Sequence, residues 1–195
     1  MSGIDITLSI ALGIGLAAAT GFRVFLPLLV ASVAAYSGHL HLNDNFGWLG
    51  SLPAVTMLAV AAVAEVLAYY IPAVDNLLDA ITTPAALLAG TLVAAATITN
   101  LPPVVKWATA IIAGGGTAGI TQALTTLLRA KSTVMTAGLG NPVLATLELG
   151  GALVLSLLAL LAPLVALALI ILFCWLVARK ARRAMNRTTS SGASL

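Results

Sequence analysis

The sequence predicts an all-α integral membrane protein of about six transmembrane helices. Three observations carry that reading. Of 195 residues, 61% are hydrophobic and only 8% charged, whereas a soluble globular domain carries about 25% charged residues. The apolar residues fall into runs at 6–36, 52–71, 73–98, 103–130, 142–161 and 163–178, most of them reaching the roughly 20 residues that a helix needs to cross the hydrocarbon core. Gly, Pro and Asn, the usual punctuation between helices, mark the joints at His39–Ser51, Pro72, Asn100–Pro103, Ser132–Asn141 and Pro163. Residues 1–178 therefore read as one transmembrane domain, with no room for a separate soluble domain. Residues 179–195 read as a basic, disordered cytoplasmic tail.

The first run, Ile6 to Tyr36, has no Lys or Arg ahead of it and is too long for a signal-peptide core, so it is expected to be retained. As one helix it would be roughly 45 Å long against a core of ~30 Å. It must tilt, protrude or break. Pro27 lacks the N–H that would bond the carbonyl of Arg23, so the sequence places a charge and a helix break together. A central cation is costly in a bilayer, and a freed carbonyl needs a partner in protein or water. Arg23 is thus the first candidate site residue.

The second run starts at Pro53 and holds Glu65. The third follows Pro72 and carries Asp75 and Asp79, four residues apart on one helical face, with Pro84 as its weakest boundary. Those aspartates are candidates for a cation site or an entrance gate. The plainer reading is that acidic residues in a first turn stabilise the positive end of the helix. The fourth run contains Gly114-Gly115-Gly116 and then Gly119, which predicts a second interruption; the alternative is that these glycines let helices pack closely. Thr121 and Gln122 follow as neutral hydrogen-bonding candidates. The fifth run begins at Pro142 and holds Glu148. The sixth contains Cys174, a single cysteine that forms no intrachain disulfide and suggests packing rather than redox chemistry.

Six spans put both termini on one side, and Arg179, Lys180, Arg182, Arg183 and Arg187 make that side cytoplasmic. Arg129 and Lys131 then fall in a cytoplasmic loop, with Lys106 on the opposite side. Trp48, Trp107, Tyr36, Tyr69, Tyr70 and Trp175 lie near span ends, where amphipathic rings favour the headgroup region. The expected location is a bacterial inner (cytoplasmic) membrane. A basic segment after the last span anchors to anionic lipid, so nucleic acid is not the inferred partner.

The halves 6–98 and 103–178 look related. Ala19-Thr20-Gly21-Phe22-Arg23-Val24-Phe25-Leu26 lines up with Thr117-Ala118-Gly119-Ile120-Thr121-Gln122-Ala123-Leu124, and Pro53 and Pro142 each open the next span. With three spans per copy the second must be inverted, a 3+3 inverted repeat with interrupted first and fourth helices around a midplane site. Glu65 and Glu148 are the carboxylates deep in apolar runs. Either serves as a proton carrier, a cation ligand or the ion-pair partner of Arg23, and the sequence leaves that choice open.

The grouping His39, His41 and Asp44 has a metal-like pattern, but without a further ligand it reads as loop decoration. No nucleophile elbow, phosphate loop or paired-Cys motif occurs, so neither an enzyme nor a cofactor is expected. Three strings, Ala18–Leu29, Tyr69–Asp79 and Gly140–Val143, combine charged, aromatic and Pro residues in a fixed order. Through them the chain resembles an uncharacterised bacterial multi-pass membrane family, labelled only as a domain of unknown function. The resemblance implies an integral-membrane domain and supplies no substrate, reaction or catalytic residue. The expected function is a small secondary transporter or permease for a solute or ion. The alternative is a non-transporting scaffold or assembly factor whose buried charges are structural. Membrane lipids are the expected surroundings, and small-residue faces allow a homodimer.

Overall fold

The computed structural model describes the backbone of residues 3–71 and 74–191 and the side chains of residues 4–71 and 81–180. Its helices are α1 (Gly3–Thr20), α2 (Phe25–Tyr36), α3 (Leu52–Ala68), α4 (Val74–Thr97), α5 (Pro103–Thr109), α6 (Gly116–Thr136), α7 (Asn141–Leu161) and α8 (Pro163–Ser191). A 3-10 turn, Asp44–Gly50, precedes α3, and a π-helical turn, Ala110–Gly115, joins α5 to α6. Among the described residues there is no strand.

Every apolar run is helical, and the first is split as its length requires. The position of the split differs from expectation. Pro27 does not interrupt a helix; it lies in the first turn of α2, where a backbone N–H has no helical partner to lose. The chain leaves the helix earlier, at Gly21–Val24, because Gly21 passes tightly over α6. A Cβ there would stand 2.4 Å from the Ala118 carbonyl oxygen and 2.5 Å from Thr121 Cβ.

The fourth run is not broken at Gly114-Gly115-Gly116. Pro103–Thr136 continues for 34 residues through the π-helical turn. Its glycines give close approach instead: a Cβ on Gly114 would lie 2.6 Å from Ala94 Cβ and 2.8 Å from the Gly90 carbonyl oxygen. The π turn therefore seats against α4 nearly backbone to backbone, the packing reading of these glycines. Pro84 likewise marks no boundary, since α4 runs through it.

By length and composition, three helices among the described residues can cross a membrane: Pro103–Thr136, Asn141–Leu161 and Pro163–Lys180. Asp44–Gly50 with Leu52–Ala68 qualifies only as a pair bent by 66°, and Ile4–Thr20, Phe25–Tyr36 and Ile81–Thr97 are shorter apolar helices. The core is built from small side chains, including Ala17, Ala94, Ala95, Ala110, Ala159 and Ala166 around Leu16, Val93 and Ile98. Packing of this kind holds helices together where lipid removes the hydrophobic drive for association. α1 forms the hub, contacting α4, α6, α7 and α8, while α3 packs chiefly against α2.

The connections close their own hydrogen bonds. Ser51 Oγ caps α3 by accepting from Ala54 N at 3.4 Å, and Asn43 N donates to the Ala96 carbonyl at 2.8 Å. After α6 the chain turns through Ala137 at φ 51° and Gly138 at φ 86°. The left-handed region costs a non-glycine residue about 1 kcal/mol. Ala137→Gly should therefore raise stability by roughly 0.5 kcal/mol, the relief being partly offset by the freer unfolded glycine. Denaturant titration of the detergent-solubilised protein measures it.

Candidate functional site

At Gly21–Val24 a helix ends inside the bundle and α2 begins with unsatisfied N–H groups. Val24, in the capping position, supplies no side-chain acceptor. Glu65, in the last turn of α3, reaches across: Oε1 accepts from Val24 N at 2.7 Å and Oε2 from Phe25 N at 3.0 Å. Both carboxylate oxygens are engaged, and the negative charge lies at the positive end of α2. Glu65 is a helix cap supplied from another helix.

Arg23, in the same linker, is 1% exposed. Its Nη2 donates to the Ala145 carbonyl of α7 at 2.8 Å and stands 3.8 Å from Glu148 Oε2. Of the two carboxylates left open as its partner, Glu148 is the nearer ion pair. Glu148 is also held by a residue that the sequence reading placed in a loop. Arg129 lies inside α6, 3% exposed, and grips Glu148 through two bonds, Nε to Oε1 at 3.0 Å and Nη2 to Oε2. Bidentate pairing of this kind is the strongest geometry available to a carboxylate.

Tyr69 completes the group. It was expected in the headgroup belt but is buried, and the guanidinium carbons of Arg23 and Arg129 each lie 4.0 Å from its ring centroid. A π face attracts each cation, most strongly where water is excluded. The ring's hydroxyl meets Thr82 Oγ1 at 3.1 Å, and Thr82 Oγ1 accepts from Gln122 Nε2 at 3.1 Å. Two arginines, two glutamates, a tyrosine, a threonine and a glutamine from four helices and one linker thus form a continuous polar core. Among the described residues Arg23 Nε and Nη1 have no hydrogen-bond partner, and a buried donor left unmade costs ~1–3 kcal/mol.

Thr121 and His39 make their hydrogen bonds outside this cluster. Thr121 is buried but bonds its own helix, Oγ1 to the Thr117 carbonyl at 3.0 Å. The side chains of Asp75 and Asp79 lie outside the described residues. His39, His41 and Asp44 are exposed, and His39 Nδ1 lies 3.0 Å from Ser37 Oγ. Lys106, in α5, is buried and donates to Asn43 Oδ1 at 3.1 Å. Two signals in the sequence point to the residues that were missed. Gln122, Thr125 and Arg129 share one helical face, and Tyr69 follows Glu65 by four residues.

An all-helical protein with membrane-type apolar helices, carrying a buried cluster of charges at a helix break, is the class that fold and site define. The family model described as Domain of unknown function (DUF4126) matches residues 10–183, and the chain belongs to that family. Comparison with curated proteins and with solved structures gives no match.

Two predictions follow from the geometry. Glu65→Ala should destabilise the protein by about 3 kcal/mol, the scale of two hydrogen bonds to a charged acceptor, and Glu65→Gln by roughly half as much because one acceptor survives. Thermal melting in detergent reads both. Arg129→Leu and Glu148→Leu should each cost about 3–5 kcal/mol by stranding a buried charge, and the double variant less than their sum. Additive effects would show that the two residues are not coupled.

Proposed function

We propose that the protein is a small secondary carrier or permease, in which the charge cluster at the α1–α2 break holds a solute or ion at mid-depth in the membrane. The observation that carries this reading is the coincidence of a broken helix with buried Arg23, Glu65, Arg129 and Glu148. Ionisable groups are costly in a bilayer and mark solute or proton pathways, and broken helices supply free backbone groups at such sites. In this reading the chain crosses the bacterial inner membrane six times as a 3+3 inverted repeat, with both termini cytoplasmic. Lys131 and the basic tail support that orientation. The repeat is supported by the contact of Gly21 with Ala118, Thr121 and Gln122, because a two-fold axis brings related segments together.

One observation favours the scaffold reading. Arg23, Arg129, Glu65 and Glu148 are all under 8% exposed, and each has a direct polar contact inside the bundle. A sealed cluster can fix helix positions without moving anything.

Flux separates the two. Protein in vesicles loaded with a pH-sensitive dye is challenged with chloride, phosphate and small carboxylates across a pH gradient. The carrier reading expects dye response to one of them, reduced at least about tenfold in Arg23→Gln, with the variant still monodisperse. Silence of the wild type toward every anion, with Arg23→Gln losing only stability, would leave the scaffold reading standing.

A further inference from the structure

We propose that Phe22 closes the passage between a lipid-facing apolar chamber and the charge cluster, and that the joined space takes an amphipathic monoanion with a medium-length alkyl tail. This inference rests on the carrier reading and names its substrate class. The chamber, about 270 Å³, is bounded by Phe22, Thr121, Leu155, Leu169, Ile170 and Phe173. Its outer wall is formed by α8, where Leu169 is 50% and Phe173 40% exposed. In a bilayer such side chains face acyl chains, so the chamber opens toward lipid rather than water.

α7 sets the order of the parts. Ala145, Glu148, Ala152 and Leu155 recur at spacings of three and four and share a face. The Ala145 carbonyl receives Arg23, Glu148 receives both arginines, and Leu155 lines the chamber. At 1.5 Å per residue, about 10 Å separates Glu148 from Leu155. Gly151 lies between them, and three carbons of the Phe22 ring stand 3.9 Å from where its Cβ would be. The ring therefore lies across the interval. Phe22 belongs to the linker Gly21–Val24 rather than to α1 or α2, so its ring can swing about its own side-chain torsions while the linker's backbone bonds and both helices stay intact.

The two compartments differ in chemistry. On the cluster side Arg23 Nε and Nη1 lack hydrogen-bond partners among the described residues, whereas both oxygens of Glu65 and of Glu148 are taken. An anionic head satisfies those donors. A cationic head would meet guanidinium donors it cannot accept from, and a neutral head would accept from them without the strength of a charge-assisted bond. On the chamber side the wall offers carbon and one hydroxyl already bonded within its own helix, which suits an alkyl tail.

Calorimetric titration of the full chain in lipid nanodiscs with octanoate, octanol and acetate, corrected for empty discs, tests the proposal. Octanoate should bind saturably, with octanol and acetate at least about tenfold weaker. Leu155→Trp, filling the chamber, and Leu169→Trp, on its outer wall, should each weaken octanoate about tenfold at an unchanged melting temperature. Phe22→Ala should speed octanoate entry without loss of affinity. Octanol binding as tightly as octanoate, or octanoate indifferent to both Trp variants, overturns the proposal. If Leu155→Trp fails to fold, Leu169→Trp decides alone. Octanoate binding without protein-dependent flux of octanoate or of a smaller anion in vesicles retains this site and removes the carrier reading. Anion flux without octanoate binding retains the carrier and removes this ligand class.

Discussion

The structure depends on a helix that starts in the interior of the bundle. A helix N-terminus exposes N–H groups that hydrocarbon cannot satisfy, so α2 can begin at Phe25 only because Glu65 supplies both carboxylate oxygens to Val24 and Phe25. With that cap in place the chain can leave α1 at Gly21 and turn through four residues, whose N–H groups bond back to the Ala18 and Ala19 carbonyls or across to Glu65. The linker in turn delivers Arg23 to α7 and Phe22 to the wall of a cavity. One carboxylate on α3 thus fixes the geometry of a segment more than forty residues away in sequence.

The charges are arranged as a chain rather than as isolated pairs. Glu148 sits between two guanidiniums, both guanidiniums face the Tyr69 ring, and the Tyr69 hydroxyl leads through Thr82 to Gln122. Low dielectric strengthens each link and also raises the cost of losing one partner. Around this core the packing is alanine and glycine, with Gly90 and Gly114 bringing α4 and the π turn into backbone contact. Small residues fix the distances between helices, and the charged residues fix their depth and rotation relative to one another.

Much of this was readable from residue order. Apolar runs located every helix, because hydrophobic length is a direct requirement of the bilayer, and the excess length of Ile6–Tyr36 foretold a break. Arg23, Glu65, Gln122 and Glu148 stood out as polar residues in apolar surroundings, and all four enter the cluster. Three details were not legible. Pro27 resembles a helix breaker until the true helix start is known, and it then becomes a first-turn residue. Gly114–Gly116 carries the same composition whether it breaks a helix or lets one pass close to a neighbour, and only the partner, Gly90 with Ala94, decides. Arg129 sits near the end of its apolar run and so reads as a loop cation; its burial depends on Glu148, which lies nineteen residues on and on another helix.

α3 is attached to the rest of the bundle in an unusual way. It packs mainly on α2, and Met57, Val60, Val63 and Leu67 point outward, yet it carries both Glu65 and Tyr69 at its end. Displacing that end by one turn would uncap α2 and strip the aromatic face from both arginines in the same movement. Each lost contact would strand a charge or an N–H in a dry interior. The peripheral helix is thus held at one end by two unlike contacts, a cap on another helix and an aromatic face shared by two cations.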